Sequence, residues 1–173
     1  MYDLQLGDQV PNFKLPTISK ETYSFEEQKN NHITAWHLIV FFRGSWCPYC
    51  IKTLKDIGNH METFRKMDIR VAAIAAENQK TLKQMAEHES LSFPVLVDEF
   101  FTVLDAFGVF THKTGAPYED HGAHGEPAYF LINEEGKLMY QQKQTGPFGR
   151  PSPLDLSATA QLIKKHLKNL PEE

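Results

Sequence analysis

HITAWHLIVFFRGSWCPYC, residues 32–50, joins a run of apolar residues to a pair of cysteines. The run that ends at Phe42 is too short for a capped helix, and its continuous apolar character is typical of a buried strand. Beyond the cysteines, apolar residues recur every three or four positions, which predicts a helix with one buried face. These residues are Ile51, Leu54, Ile57, Met61 and Phe64. Cys47 and Cys50 therefore lie where a buried strand passes into an amphipathic helix.

The rest of the chain alternates between strand and helix patterns. Further strands are predicted at 69–76, 93–97, 129–132 and 137–142, the last two joined by a turn at 133–136. Helices are predicted after the cap Asn78, through 103–107 as far as Gly108, and after the cap Ser152–Asp155. The inward face of the last helix is predicted to consist of Leu156, Ala160, Ile163, Leu167 and Leu170. This order predicts an α/β fold whose central sheet is covered on both faces.

Size and charge exclude several functional classes. The 173 residues predict a single domain that spans residues 1–173, and the 41% apolar content supplies an ample core. The 18 basic and 22 acidic residues give a net charge of -4, which lacks the basic footprint of a nucleic-acid binder. No stretch approaches the ~18 uncharged apolar residues of a membrane-spanning helix. The N-terminal residues, MYDLQLGDQVPNF, contain no basic start and no apolar run. We therefore expect a cytoplasmic protein without a secretory signal.

Cys47 and Cys50 are the only cysteines of the chain, and their position predicts redox chemistry rather than a structural disulfide. Cys47 is expected just before the helix, where unpaired backbone N–H groups and the helix dipole lower the pKa of its thiol. Cys50 is expected to face the same side one turn deeper and to resolve a disulfide formed by Cys47. Pro48 suits the first position of the helix, because that position needs no N–H donor.

A metal-binding redox switch is the alternative from a different functional class. The cysteine pair supplies two of the roughly four ligands of a zinc site, and His121-x-x-His124, with His112 nearby, would have to supply the others. These histidines fall in the polar stretch 111–126, so we expect them to belong to a solvent-facing loop. We therefore predict no metal and no other tightly bound cofactor, while the switch stays open as an alternative.

Several motifs resemble the alkyl hydroperoxide reductase/thiol-specific antioxidant (AhpC/TSA) family, and in particular its peroxiredoxin-like branch. They are GDQVPNF at 7–13, RGSWCPYC at 43–50, FPVLVD at 93–98 followed by AFGV at 106–109, and PAYFLIN at 127–133 followed by GKL at 136–138. Together they span most of the chain. The resemblance implies a thioredoxin-like fold, with a central mixed sheet flanked by helices and the N-terminal extension of peroxiredoxins.

The family contains peroxidases and disulfide reductases, and residues near the cysteines depart from the peroxidase pattern. Peroxiredoxins carry Pro seven residues and Thr or Ser three residues before the reactive cysteine, where this chain has Val40 and Gly44. They also carry an arginine at the position of Pro127. Thioredoxin-like reductases have a cis proline there, so a cis Glu126–Pro127 bond is expected. The buried acid of thioredoxins is replaced by Phe41.

These departures favour a thiol–disulfide oxidoreductase, in which Cys47 attacks a substrate disulfide and Cys50 then releases the reduced substrate. The alternative is a thiol peroxidase, in which peroxide converts Cys47 to a sulfenic acid that Cys50 condenses into the same disulfide. The expected substrate is a disulfide-containing protein, a small thiol or a peroxide. A thioredoxin- or glutathione-type thiol is the expected reductant, no nucleic acid or membrane is expected as a partner, and a homodimer stays open.

Six residues around the cysteines are expected to support this chemistry: Arg43, Trp46, Pro48, Tyr49, Glu126 and Pro127. Arg43 either supplies the charge missing at position 127 or is a solvent-exposed loop residue. Trp46 is expected to shield Cys47, and Tyr49 to lie exposed beside the sulfur as part of a docking surface. Glu126 is expected to be a solvated carboxylate unless it accepts a proton, and its backbone is expected to pair with an extended substrate.

Overall fold

The computed structural model describes residues 3–115, 117 and 121–168. Its strands are β1 (Lys14–Pro16), β2 (Thr22–Ser24), β3 (Trp36–Phe41), β4 (Ile69–Ala75), β5 (Val95–Val97), β6 (Thr111–His112), β7 (His124–Gly125), β8 (Ala128–Ile132) and β9 (Leu138–Lys143). Its helices are α1 (Phe25–Asn31), α2 (Pro48–Asn59), α3 (Met61–Lys66), α4 (Gln79–His88), α5 (Thr102–Ala106) and α6 (Pro153–Lys168). Within these residues, no helix is long and apolar enough to cross a membrane.

A five-stranded mixed sheet forms the centre of the fold, with the strand order β5-β4-β3-β8-β9. The central strand β3 runs parallel to β4 and antiparallel to β8, and all of its residues are buried. The predicted α/β class and the central mixed sheet are confirmed. Because β3 ends at Phe41 and α2 begins at Pro48, the cysteines lie at the carboxyl end of the central strand.

The sheet separates two apolar cores, because successive side chains of a strand point to opposite faces. On one face, Leu38 and Val40 of β3 pack against α2, α3, α4 and α6. On the other face, Ile39 and Phe41 pack against α5 and against the segment that precedes β3, including Phe25 of α1. The N-terminal segment expected from the resemblance is therefore part of the second core.

Several element boundaries are shifted by one residue from the sequence patterns, and two larger differences have a structural reason. The helix after the cysteines is divided at His60, where the backbone (φ -106, ψ 4) separates α2 from α3. The His60 ring lies 3.0 Å from Ser157 Oγ of α6, which ties this break to the neighbouring helix. β5 begins at Val95 instead of Phe93, since Pro94 has no N–H to donate to a ladder.

The inward face of the last helix is shorter than predicted. Leu156 and Ala160 are buried as expected, whereas Leu167 is 38% exposed. Lys164 Nζ lies 4.8 Å from the ring of Trp36, the first residue of β3, so α6 has reached the end of the sheet before Leu167. The predicted core position Leu170 lies outside the described residues.

Candidate active site

Cys47 is the N-cap of α2, and Cys50 lies in the first turn of the same helix. The Cys50 N–H donates to Cys47 Sγ at 3.3 Å, and Pro48 begins the helix. Both cysteines are free thiols, and the exposed fraction of each is 0%. The reduced dithiol is therefore enclosed, and its chemistry depends on the groups that surround the two sulfurs.

Arg43 follows the central strand and is buried beside the dithiol. Its Nη1 lies 3.8 Å from Cys47 Sγ, and its backbone N–H donates to Cys50 Sγ at 3.3 Å. The same guanidinium forms an ion pair with Glu126 (Nε to Oε2, 3.2 Å) and contacts His124 Nε2 at 3.3 Å. Arg43 is therefore not a solvent-exposed loop residue, and it brings a positive charge to the sulfur of the first cysteine.

A second guanidinium reaches the dithiol from Arg150, a residue that the sequence patterns do not single out. Its Nη2 donates to Cys50 Sγ at 3.2 Å and to Cys47 Sγ at 3.7 Å. Its Nε donates to the Pro147 carbonyl at 2.7 Å, and its Nη1 donates to Thr53 Oγ1 at 3.1 Å. The only signal for Arg150 in the sequence is a lone basic residue in a loop rich in Gly and Pro, far along the chain from the cysteines.

The two thiols differ in acidity. The pKa of Cys47 is lowered from 9.0 to about 5, chiefly by the hydrogen bond from the Cys50 thiol. The Cys50 N–H, Arg150 and Arg43 lower this pKa further, whereas burial of the sulfur opposes the shift. Burial raises the pKa of Cys50 well above its ordinary value, and the neighbouring Cys47 raises it further. At neutral pH, Cys47 is therefore a thiolate and Cys50 is a thiol.

A buried carboxylate and a buried imidazole lie behind Arg43. Glu126 is 1% exposed, and its Oε1 lies 2.9 Å from His124 Nε2 and 3.5 Å from His112 Nε2. His124 Nδ1 lies 2.9 Å from the Gly122 carbonyl and so donates to it. The expectations of a solvated Glu126 and a solvent-facing His124 are wrong, because pairing of β6 with β7 turns both side chains inward. Their i, i+2 spacing, typical of one face of a strand, is the signal that could have revealed them.

Trp46 covers this group of side chains. Its ring stacks on His121 at 4.2 Å with an interplanar angle of 17°, and it makes an edge contact with His124 at 5.1 Å. The Arg43 guanidinium lies 4.9 Å from the same ring. The indole also accounts for Gly44, since a Cβ at this position would collide with Trp46 Nε1. The Thr or Ser of the peroxiredoxin pattern has no room there.

Tyr49 is exposed beside the dithiol, as expected. It makes an edge-to-face contact with Phe148 at 5.1 Å, and the exposed fractions of the two residues are 52% and 54%. Both rings line a groove of ≈ 290 Å³ that also contains Thr53 and Arg150. An aromatic edge therefore borders the side of the dithiol that Arg150 occupies.

The Glu126–Pro127 peptide bond is trans, so the expected cis bond is wrong. The chain continues from β7 through Pro127 directly into β8. The Glu126 N–H donates to the Phe110 carbonyl at 2.8 Å, and the Pro127 carbonyl accepts from the Gln144 N–H at 2.9 Å. These internal hydrogen bonds fix an extended backbone, and they leave the Glu126 N–H unavailable to a substrate peptide.

The part of the chain that the structure describes contains no group of three or more His, Cys, Asp or Glu side chains arranged to hold a metal ion. Both sulfurs instead contact the guanidinium of Arg150, and His124 contacts that of Arg43. Two positive charges next to these donors oppose the binding of a further cation. The donors around the dithiol therefore do not fit a zinc site.

Comparison with known sequences identifies the family. The model of the AhpC/TSA family matches residues 6–141. Peroxiredoxin Bcp of Escherichia coli (strain K12) is 29% identical over 142 residues, which cover 81% of this chain and 86% of that protein. Thiol-disulfide oxidoreductase ResA of Halalkalibacterium halodurans is 24% identical over 134 residues, which cover 77% of this chain and 65% of that protein.

Comparison with solved structures identifies the fold. Peroxidoxin BcpB from Mycobacterium tuberculosis superposes with a TM-score of 0.70 at 18% identity, covering 98% of this chain and 99% of that chain. Mycobacterium tuberculosis AhpC superposes with a TM-score of 0.77 at 17% identity, covering 95% of this chain and 96% of that chain. The fold is the thioredoxin-like fold of peroxiredoxins, as the resemblance implied. With a family match over most of its length, the chain belongs to the AhpC/TSA family and is a thiol-based oxidoreductase.

Proposed function

We propose that the protein is a thiol peroxidase, in which Cys47 attacks the peroxide and Cys50 resolves the product. The observation that carries this proposal is the pair of guanidinium groups near Cys47 Sγ, from Arg43 at 3.8 Å and from Arg150 at 3.7 Å. The positive charge that is missing at Pro127 comes from two other places in the chain. The absence of an arginine at position 127 therefore no longer favours a disulfide reductase.

The first step is attack of the Cys47 thiolate on one oxygen of the peroxide. The S–O bond forms as the O–O bond breaks, and the sulfur is oxidised to a sulfenic acid. The departing oxygen takes the electron pair, accepts a proton from solvent and leaves as water or an alcohol. Negative charge moves from sulfur to oxygen during this step, and charged N–H donors from Arg43 and Arg150 stabilise it more strongly than neutral donors would.

The second step joins the two cysteines. The S–S bond forms as the S–O bond of the sulfenic acid breaks, and the hydroxide that leaves becomes water by taking up the proton released by Cys50. The Cys50 thiol already forms a hydrogen bond with Cys47 Sγ, so the reaction needs no unfolding of α2. A thioredoxin- or glutathione-type thiol then reduces the disulfide and completes the cycle.

Burial of the dithiol favours a small oxidant. Cys47 has no exposed surface, and Trp46 packs against the core cluster that contains it. A hydroperoxide has to bring only two oxygen atoms to this sulfur, whereas a protein disulfide has to bring two sulfurs together with their attached chains. The smaller oxidant therefore requires the smaller opening of the site.

The supporting residues act from fixed positions in this proposal. Glu126 orients Arg43 through their ion pair, and Trp46 excludes water from the thiolate. Pro48 fixes the start of α2, so that the helix N–H groups face the first cysteine. Tyr49 belongs to the surface on which the reductant docks.

A disulfide reductase is the second candidate, and the exposed edge formed by Tyr49 and Phe148 is the observation that favours it. An aromatic edge next to a Cys-x-x-Cys pair suits a macromolecular partner, because aromatic residues are enriched at protein interfaces. In that case, Cys47 attacks a partner disulfide, and Cys50 releases the reduced partner by forming the same internal disulfide.

The proposal is tested with the Cys50→Ser variant and one equivalent of hydrogen peroxide. Intact-mass measurement is expected to show the gain of one oxygen atom, and dimedone is expected to trap it on Cys47. The matched Cys47→Ser variant is expected to show neither change. Absence of the dimedone adduct, together with rapid formation of a mixed disulfide with an oxidised protein, would replace the peroxidase with the reductase.

A further inference from the structure

Arg150 contacts both sulfurs of the dithiol through one nitrogen. Nη2 lies 3.2 Å from Cys50 Sγ and 3.7 Å from Cys47 Sγ, so it is closer to the cysteine that does not attack the substrate. The other guanidinium nitrogens donate to Pro147 and Thr53 and hold the group in place. This geometry is not needed to activate Cys47 alone, because Arg43 already contacts that sulfur at 3.8 Å.

The resolving step poses an electrostatic problem for this site. Cys50 has to become a thiolate before it attacks, although its sulfur is fully buried. Among the described residues, no carboxylate or imidazole forms a hydrogen bond with Cys50 Sγ, and its polar contacts are the Arg43 N–H, the Cys47 thiolate and Arg150. Arg150 is therefore the only full positive charge in contact with the resolving sulfur in this part of the chain.

We propose that Arg150 is a catalytic residue of the resolving step, because its guanidinium stabilises the Cys50 thiolate that attacks oxidised Cys47. This inference rests on the proposed function, but the same step follows a mixed disulfide in the reductase. The Cys50 S–H gives up its proton, the S–S bond forms, and the group bonded to Cys47 leaves with the electron pair. For a sulfenic acid, that group is hydroxide, and the released proton converts it to water.

The Arg150 guanidinium stabilises both steps, because the negative charge lies first on Cys47 and afterwards on Cys50. In the reduced protein, Cys47 carries the negative charge, and this charge opposes ionisation of Cys50. Oxidation makes Cys47 neutral and removes that opposition, while Arg150 stays 3.2 Å from the Cys50 sulfur. The stabilisation then passes from the attacking cysteine to the resolving cysteine without movement of the arginine.

The experiment follows the fluorescence of Trp46 by stopped flow after mixing reduced protein with increasing hydrogen peroxide. Oxidation of Cys47 depends on peroxide concentration, whereas attack by Cys50 reaches a plateau rate. The plateau is expected to fall about 10- to 100-fold in Arg150→Gln, which corresponds to one hydrogen bond to a charged group. Arg150→Lys is expected to recover part of the rate, and the matched control Arg70→Gln, an exposed arginine outside the site, is expected to leave it unchanged.

A pH profile separates stabilisation of the thiolate from a merely structural role. The plateau rate is expected to rise with pH, and its inflection is expected to move to higher pH in Arg150→Gln and less so in Arg150→Lys. An unchanged plateau in Arg150→Gln would overturn the inference. A slower plateau with an unshifted inflection would overturn it as well, because distortion of the loop slows the step without changing the acidity of Cys50. Arg150→Lys supplies the same readout if Arg150→Gln does not fold.

A small aromatic disulfide, 4,4′-dithiodipyridine, makes this test independent of the proposed function. The Cys47 thiolate attacks one of its sulfurs, which releases a first thiopyridone and leaves a mixed disulfide on Cys47. Attack by Cys50 on this mixed disulfide then releases the second thiopyridone, and the rate of this second release is the one that is measured. The release rate at saturating reagent is expected to show the same loss in Arg150→Gln. If peroxide does not oxidise the protein but this loss is found, the peroxidase fails and the role of Arg150 stands. If release is unaffected, the role of Arg150 fails whichever substrate is native.

Discussion

Cys47 takes its acidity mainly from a neighbour in the same helical turn. The hydrogen bond from the Cys50 thiol lowers the Cys47 pKa more than the Cys50 N–H, Arg150 or Arg43 does. Cys50 therefore donates to the sulfur while the protein is reduced, and in the proposed cycle it attacks that sulfur after oxidation. The Cys-x-x-Cys spacing at a helix start is enough to predict this pair from the sequence.

We expect the thiolate of Cys47 to titrate with a pKa of about 5 when followed by ultraviolet absorbance of the reduced protein. The thiolate is populated above this pH and is lost as the pH falls through it. Cys50→Ala is expected to raise the inflection, because it removes the largest stabilising contact. Cys50→Ser, whose hydroxyl still donates, is expected to raise it less. Equal titration curves for the wild type and Cys50→Ala would show that the thiol hydrogen bond has no such effect.

Arg150 and His124 come from distant parts of the chain, and the sequence does not place them beside the dithiol. Arg150 lies 100 residues from Cys50, and His124 lies 81 residues from Arg43. No local pattern reports such contacts, because they depend on how β7 and the loop before α6 pack on the dithiol. The burial of Glu126 depends on the same packing, whereas a carboxylate in a polar segment is usually solvated.

At the scale of secondary structure, the sequence predicts those elements whose signal is local. The β3–turn–α2 unit follows from a continuous apolar run, a cap and a helical period, and each of these is contained in about 20 neighbouring residues. The trans bond at Pro127 shows the opposite case. Its conformation depends on hydrogen bonds to Phe110 and Gln144, which come from two other segments.

Asp98 gives a prediction for one of the shorter elements. Its buried carboxylate accepts from the N–H groups of Val103 at 2.9 Å and Leu104 at 2.8 Å, and so caps α5. Asp98→Ala leaves these donors buried without a partner and is expected to lower the free energy of unfolding by about 1–3 kcal/mol. Urea denaturation measures the loss, and Glu99→Ala at the exposed neighbouring position is expected to change it by less than about 0.5 kcal/mol. Equal losses for both variants would show that the cap has no specific contribution.

At the scale of the whole molecule, the two cores on either side of the sheet depend on apolar side chains in β3. His37 is the exception: it is 1% exposed, and within the described residues neither ring nitrogen has a hydrogen-bond partner. Its ring packs edge-on against Phe25 at 5.1 Å in the second core. Burial, assisted by the positive charge of Arg70, lowers the pKa of His37 from 6.5 to about 4.

His37 therefore links global stability to pH. Its folded-state pKa lies below its unfolded-state pKa, so its contribution is complete above pH 6.5 and is lost as the pH falls towards 4. The free energy of unfolding is expected to fall by about 2 kcal/mol between pH 7 and pH 5 on this account alone. Urea denaturation of His37→Leu is expected to lack this part of the pH dependence, while His88→Gln, at an exposed position, is expected to keep it. An identical pH dependence in His37→Leu would contradict the assignment.

We expect this enclosed dithiol to react with peroxide faster than with a protein disulfide. The most direct measurement is stopped-flow mixing of one reduced preparation with hydrogen peroxide and, separately, with an oxidised protein substrate, following Trp46 fluorescence. We predict a second-order rate constant for peroxide orders of magnitude above that of free cysteine at the same pH, abolished in Cys47→Ser and larger than the constant for the disulfide. A peroxide rate constant no greater than that of free cysteine, together with a fast reaction with the disulfide, would show that the protein is a disulfide reductase and not a peroxidase.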